Sequence, residues 1–189
     1  VYYISRVANQ CIENVDMLKD YSEHEAEIKD MIAQCYFLRA YAHFQVLRWY
    51  GGMAYLDHSL DENDDCDFPR ISESEMFEHI ADDFYQSYEL FKEAGLMRRD
   101  TNDSAIKGWV NVFPNVFAAI GMFARTLLYA ASPLFNKKGA SDWEKAAQAC
   151  ALAIKECEAQ GYDLLPFKDW KLNWMGDQYV NEQIYCYAY

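Results

Sequence analysis

The 189-residue chain is acidic, with a formal charge of −13, and rich in aromatic side chains, with Tyr 15, Phe 11 and Trp 5 making up 16% of its residues. That charge argues against sequence-independent nucleic-acid binding, which needs Lys and Arg to displace counterions from phosphates, and against attachment to anionic membranes through a polybasic patch. The longest strongly apolar run, Val116 to Ala124, is interrupted by Arg125 and is far shorter than the about 20 residues that span a bilayer; the length suits one domain with one core.

Ile4, Val7, Ala8, Cys11, Ile12, Val15 and Leu18 recur at helical spacing and predict an amphipathic first helix. Ser22 with Glu25 has the spacing of a capping box, in which two side chains satisfy each other's orphan amides, and so predicts the start of a second helix. That helix carries Ile28, Met31, Ile32, Cys35, Leu38, Ala42, Val46 and Trp49 on one side and Phe37, Tyr41 and Phe44 on another. A helix apolar on two sides belongs at the centre of a bundle, and Gly51 and Gly52 end it. After an acidic loop, Asp61 to Asp67, a second capping box of Ser72 and Glu75 opens a helix with Met76, Phe77, Ile80, Phe84, Tyr88 and Phe91 on its inner face and Gly95 at its end.

Residues 96–114 are polar and irregular and end at Pro114; Val116 to Ala131 forms the fourth predicted helix, stopped near Pro133. Ser141 with Glu144 suggests a third capping box, opening a fifth helix lined by Trp143, Ala146, Ala147, Cys150, Ile154 and Cys157 and closed by Gly161. From Glu182 to Tyr189 the chain alternates toward Ile184, Cys186 and Ala188 like a strand whose partner is missing. With Val1 in place of a start methionine and no signal peptide, both ends read as cut from a longer protein. The predicted fold class is all-α: stacked antiparallel helix pairs, tetratricopeptide-like, with irregular loops and a short strand-like C-terminal segment, in a single helical domain over 1–189. A strict 34-residue tetratricopeptide consensus is absent.

Of six cysteines, Cys11, Cys35, Cys150 and Cys157 fall on apolar stripes, where a free thiol behaves as a small hydrophobe. Cys150 and Cys157 lie about 10.5 Å apart along one helix, too far to bridge. No CxxC spacing occurs, so free thiols are expected and neither a disulfide nor a zinc site is.

Two segments carry a resemblance. Ala33 to Leu56, AQCYFLRAYAHFQVLRWYGGMAYL, and Ala124 to Asn136, ARTLLYAASPLFN, resemble the paired helical motifs of the SusD/RagB family of nutrient-binding outer-membrane lipoproteins. Phe37, Leu38, Arg39, Ala40, Tyr41, Phe44, Tyr50, Gly51 and Gly52 match the first motif, and Arg125 together with Leu127 through Asn136 matches the second. Met53 and Ala54 depart from the Val-Pro pair common in the family, and Phe113-Pro114-Asn115 from its usual small, polar entry to the fourth helix.

The resemblance implies the amino-terminal helical portion of a larger cell-surface lipoprotein. Such a protein sits on the extracellular face of the outer membrane, held by a lipid anchor that this chain lacks. It caps a TonB-dependent, SusC-like transporter and presents an oligosaccharide or peptide to it without catalysis or cofactor. The matched motifs are packing elements, so the resemblance transfers no ligand residue.

Candidate ligand contacts therefore come from the remaining residues. Trp109, Trp170 and Trp174 stand outside the helical stripes, and an aromatic platform there could stack on a sugar while Asp169, Asn173 or Asp177 takes its hydroxyls. The same rings could instead plug gaps beneath long loops. Asp61, Asn63, Asp65 and Asp67 place oxygens at alternate positions as a calcium loop begins. Cys66 stands where the turn glycine belongs and Ser72 where a bidentate Glu belongs, which favours a solvated acidic loop and no metal. Glu75, His79 and Asp82 share a helical face, a spacing that geometrically allows a metal or acid–base role but favours a surface ion pair, while His43 and His58 have no matching partner spacing. No G-x-S-x-G, H-E-x-x-H or phosphate-cradling glycine loop occurs.

Overall fold

The computed structural model describes residues 1–18, 21–95, 113–174 and 182–184. They form α1 (Tyr2–Glu13), α2 (Glu25–Tyr50), α3 (Glu73–Ala94), α4 (Val116–Ala131) and α5 (Ala140–Ala159), with short 3-10 helices at Val15–Met17, Tyr21–Glu23 and Phe167–Trp174. Each α-helix packs on the next in sequence. Lys29 near the start of α2 pairs with Glu93 near the end of α3 at 3.1 Å, as antiparallel neighbours require. The stacked all-α architecture is the one the stripes predict. The described residues of the strand-like tail, Glu182 to Ile184, are irregular, and 185–189 lie outside the described residues.

The core is aromatic and centred on α3. Met76, Phe77, Ile80, Phe84, Tyr88 and Phe91 are all buried, as their spacing predicts. They meet Phe37, Phe44 and Leu47 of α2 and Val116, Phe117 and Ile120 of α4. Rings meet edge to face, Phe37 on Phe84 at 5.3 Å and Phe77 on Phe135 at 5.1 Å, an arrangement that adds about 0.5–1.5 kcal/mol per pair beyond area burial.

Of the three capping boxes, one forms. Ser72 Oγ accepts from Glu75 N at 3.2 Å and Glu75 Oε2 accepts from Ser72 N at 2.9 Å. Ser22 lies inside the Tyr21–Glu23 turn, and α2 starts at Glu25 behind His24 without a side-chain cap. Ser141 is already in the first turn of α5, because Gly139, at φ 66°, begins that helix. There Asn136 Oδ1 accepts from Gly139 N at 2.6 Å. Asn115 supplies a cap that its spacing does not announce, accepting from the amides of Phe117 at 3.0 Å and Ala118 at 2.9 Å.

Three stripes also turn differently from expectation. On α1 the buried residues are Ser5, Ala8 and Asn9, while Ile4, Val7 and Cys11 are exposed. Met31, Leu38 and Trp49 of α2 face outward, and α5 buries Ala146 and Ala149 while exposing Trp143, Ala147 and Ile154. The reason on α1 and α2 is a buried polar network that claims the faces they share.

Arg39 and Asp83 are both buried and form a two-pronged pair, Nε to Oδ2 at 2.7 Å and Nη2 to Oδ1 at 2.6 Å. Arg39 Nη1 also donates to Asn9 Oδ1 at 2.7 Å and to the Asp57 carbonyl at 2.9 Å. Asn9 Nδ2 donates in turn to the Leu56 carbonyl at 3.2 Å, and the Tyr55 hydroxyl donates to Asp83. One guanidinium thereby joins α1, α2, α3 and the segment after α2. Burial alone would lower the Arg39 pKa, but the Asp83 hydrogen bonds and charge outweigh it and hold it above the ordinary range. Burial, reinforced by the Asp83 charge, pushes the Tyr55 hydroxyl up.

One turn further along α2 the imidazole of His43 is fully buried, with Nδ1 donating to the Arg39 carbonyl at 2.9 Å. Its Nε2 has no hydrogen-bond partner among the described residues. Burial lowers its pKa, which favours the neutral ring.

The paired glycines after α2 do different jobs. Gly51 adopts φ 73°, the left-handed region where a side chain is strained. At Gly52 a Cβ would lie 2.0 Å from the Ile71 carbonyl oxygen, because residues 52–53 run against the chain entering α3 and Ile71 N donates to the Met53 carbonyl at 3.2 Å.

Replacing Arg39 by Met strands a buried carboxylate and is expected to cost about 3–5 kcal/mol in urea denaturation, while the double change Arg39→Met with Asp83→Leu costs clearly less. Gly52→Ala is expected to cost about 1–3 kcal/mol through backbone overlap; a neutral result would mean the two segments separate easily. Below the ordinary histidine value of 6.5 the unfolded chain binds a proton that folded His43 resists, so this contribution to stability is lost as pH falls from 6.5 through the lower folded pKa. The urea midpoint of wild type should therefore drop more steeply between pH 7.5 and 5.5 than that of His43→Asn; parallel curves would rule out this residue as the cause.

Candidate functional site

Phe167–Trp174 is a 3-10 helix, opened by the Asp169 amide donating to the Pro166 carbonyl at 2.8 Å. It flanks a groove of about 600 Å³ whose walls include Tyr41 of α2, Gly121, Met122 and Arg125 of α4, and Trp170, Asn173, Trp174 and Glu182. Trp170 is 51% and Trp174 76% exposed. Their ring centroids lie 5.9 Å apart at 68°, so one indole edge meets the other's face.

Glu182 holds this helix in place. Its Oε2 accepts from Asn173 Nδ2 at 2.8 Å and from the Leu165 amide at 3.1 Å. Gln183 Nε2 donates to the Asn173 carbonyl at 2.8 Å, and Asn115 Nδ2 donates to the Ile184 carbonyl at 3.0 Å, anchoring 182–184 at the start of α4. Asn173 Oδ1 is left as a buried acceptor with no hydrogen-bond partner among the described residues. Arg125 is exposed in the groove wall and lies 6.0 Å over the Tyr129 ring. Aromatic faces beside an amide acceptor and a guanidinium can stack on an apolar ring face while hydrogen-bonding hydroxyl or anionic substituents.

Trp170, Asn173 and Trp174, singled out in the sequence, thus share one groove, with Asp169 on the same helix. Trp109 and Asp177 lie outside the described residues. Tyr41, Arg125 and Glu182 were missed. The first two sit in motifs that read as packing, and the signal that marks Arg125 is a lone cation within an apolar helix.

The acidic loop contains Asp61, Asn63, Asp65 and Asp67, all exposed, and its carboxylates take up the loop's own amides. Asp64 accepts from Asp61 N at 2.7 Å and Asp65 from Asp67 N at 2.9 Å. No group of three His, Cys, Asp or Glu side chains suited to a metal ion occurs among the described residues. Of the shared face on α3, Glu75 serves the capping box, where the Ser72 hydrogen bonds lower its pKa. His79 stacks on Tyr55 at 4.7 Å and 13°. His58 pairs with its neighbour Asp57 at 2.9 Å.

With this geometry established, residues 1–113 match the SusD-like family described as starch-binding and associating with the outer membrane, and the chain belongs to that family. The SusD-like protein P2 of Formosa agariphila is 28% identical over 98 residues, which cover 51% of this chain and 19% of that protein. A SusD-like protein from Bacteroides fragilis NCTC 9343 superposes with TM-score 0.67 at 22% identity, over 94% of this chain and 31% of that one. A protein from Bacteroides vulgatus ATCC 8482, proposed to bind sugar, superposes with TM-score 0.67 at 20% identity, over 97% of this chain and 38% of that one. At these identities the solved structures establish the shared fold. The chain spans about a fifth of the curated relative's length and about a third of the solved chains'. Among the described residues no helix is long and apolar enough to cross a membrane.

Glu182→Ala removes two hydrogen bonds to a charged acceptor, each contributing about 1.5–3 kcal/mol. Exchange of the Leu165 amide in the full-length protein is expected to rise roughly tenfold or more, read by hydrogen–deuterium exchange, with helix content by circular dichroism unchanged. Unaltered exchange would show that Glu182 does not hold this segment.

Proposed function

We propose that this chain is the helical portion of a cell-surface protein that captures an oligosaccharide and passes it, chemically unchanged, to a TonB-dependent SusC-like transporter in the outer membrane. The observation that carries the reading is the pair of exposed indoles, Trp170 and Trp174, beside Asn173 and Arg125 in one groove. Membership of a family described as starch-binding supports the ligand class, and the same description supports the location. Capture without catalysis fits the groove. Glycoside hydrolysis uses two carboxylates about 5–9.5 Å apart, whereas among the described groove residues Glu182 is the one carboxylate and it is engaged by Asn173 and Leu165.

A second reading, a protein-interaction scaffold without a small ligand, is favoured by Trp49 and Tyr50, 75% and 74% exposed at the end of α2. The two readings separate on the double variant Trp170→Ala, Trp174→Ala of the full-length protein. Under glycan capture, affinity electrophoresis in starch and other polysaccharide gels should show Kd raised roughly tenfold or more while the transporter still co-purifies. Retardation equal to wild type would move the ligand away from this groove, and no retardation of wild type in any gel would favour the scaffold.

A further inference from the structure

Two guanidiniums converge on one ring beside the groove. Arg48 of α2 and Arg125 of α4 lie 5.7 Å and 6.0 Å from the centre of the Tyr129 ring. Phe44 meets the same ring edge to face at 5.3 Å, which fixes α2 against α4 at this level. Neither arginine has a hydrogen bond or a carboxylate within 4.0 Å among the described residues. That is unusual in a chain with 30 acidic residues against 17 Lys and Arg, where Lys29, Arg39 and Lys138 all find carboxylates. The ring positions both cations without using their N–H donors, and two like charges around one ring repel until an anion joins them.

This pair adjoins the tryptophans. Arg125 lines the groove itself, together with Trp170 and Trp174. On α4, Gly121, Arg125 and Tyr129 follow at intervals of four and share a face. On α2, Tyr41 of the groove wall and Arg48 are two turns apart and share another. Gly121 leaves room beside Arg125, since a Cβ there would meet nothing within 4 Å. Packing against the described residues therefore does not call for a glycine, which weakens a helix interior. Glu182, the one carboxylate among the described groove residues, is already engaged by Asn173 and the Leu165 amide.

We propose, building on the capture reading above, that the groove takes a negatively charged glycan. The indoles stack on a sugar ring, and Arg125, with Arg48 beyond it, receives carboxylate or sulfate groups carried along the same chain. Each guanidinium presents a planar fork of N–H donors that matches two oxygens of either group. The overall charge of −13 repels polyanions at large, so retention of one would come from this local pair and not from a diffuse field.

The test is affinity electrophoresis of the full-length protein in gels of polygalacturonate, alginate and carrageenan, of the first two after reduction of their carboxyl groups, of desulfated carrageenan, and of starch. Wild type is expected to bind at least one charged polymer with Kd roughly tenfold or more below that for its uncharged form, and the uronates against carrageenan tell carboxylate from sulfate. The double variant Arg48→Gln, Arg125→Gln should erase that difference with helix content unchanged by circular dichroism. Arg48→Lys with Arg125→Lys, which keeps the charge and loses the fork, should restore part of it. Equal binding of charged and uncharged forms, or a preference that survives in the Gln variant, overturns the proposal. Retardation by neutral polymers alone would do so while leaving glycan capture standing, whereas no retardation in any gel would remove capture itself and this inference with it.

Discussion

The structure hangs on one charge pair. Arg39 and Asp83 are buried together, and a buried ion pair on its own adds little net stability, because desolvating both ions offsets most of their attraction. What it imposes is position. All three guanidinium nitrogens donate, to Asp83, Asn9 and the Asp57 carbonyl, so a helix shifted by one residue would leave a charge or an amide stranded. The network explains why α1 turns Ser5, Ala8 and Asn9 inward and leaves Ile4 and Val7 in solvent. It also explains the arginine of the FLRAY motif, which links three helices and the segment leaving α2.

The aromatic surplus divides into two populations. Phe37, Phe44, Phe77, Phe84, Tyr88, Phe91 and Phe117 are buried and fill the spaces between α2, α3 and α4 with edge-to-face contacts. Trp49, Tyr50, Trp170 and Trp174 remain exposed, at the end of α2 and on the last 3-10 helix. Rings of the first kind make the scaffold rigid. Those of the second are available to ligands or partners, and the scaffold sets their spacing. Glu182 and Asn115 link the two populations, since one holds Asn173 and the other ties residue 184 to the start of α4.

Much of the helical order was legible in local signals. The Ser72–Glu75 box, Gly95, Pro133 and the Met76 to Phe91 stripe fall where spacing places them, because each signal is satisfied inside its own helix. Ser22 and Ser141 have the same box spacing and do not cap, because the neighbouring turns start the helices elsewhere. Local spacing also marked Trp170, Asn173 and Trp174, but nothing along the chain showed that Tyr41, Arg125 and Glu182 would join them from three other segments.

By itself, then, the sequence determined an all-helical chain, its family motifs and the alternation that stacks one helix on the next, since these depend on residues three or four apart. Only the tertiary structure decided which apolar faces are buried, that Arg39 meets Asp83 and that a groove forms beside the two tryptophans. Those outcomes depend on residues distant along the chain, and no local periodicity encodes the alignment that brings them together.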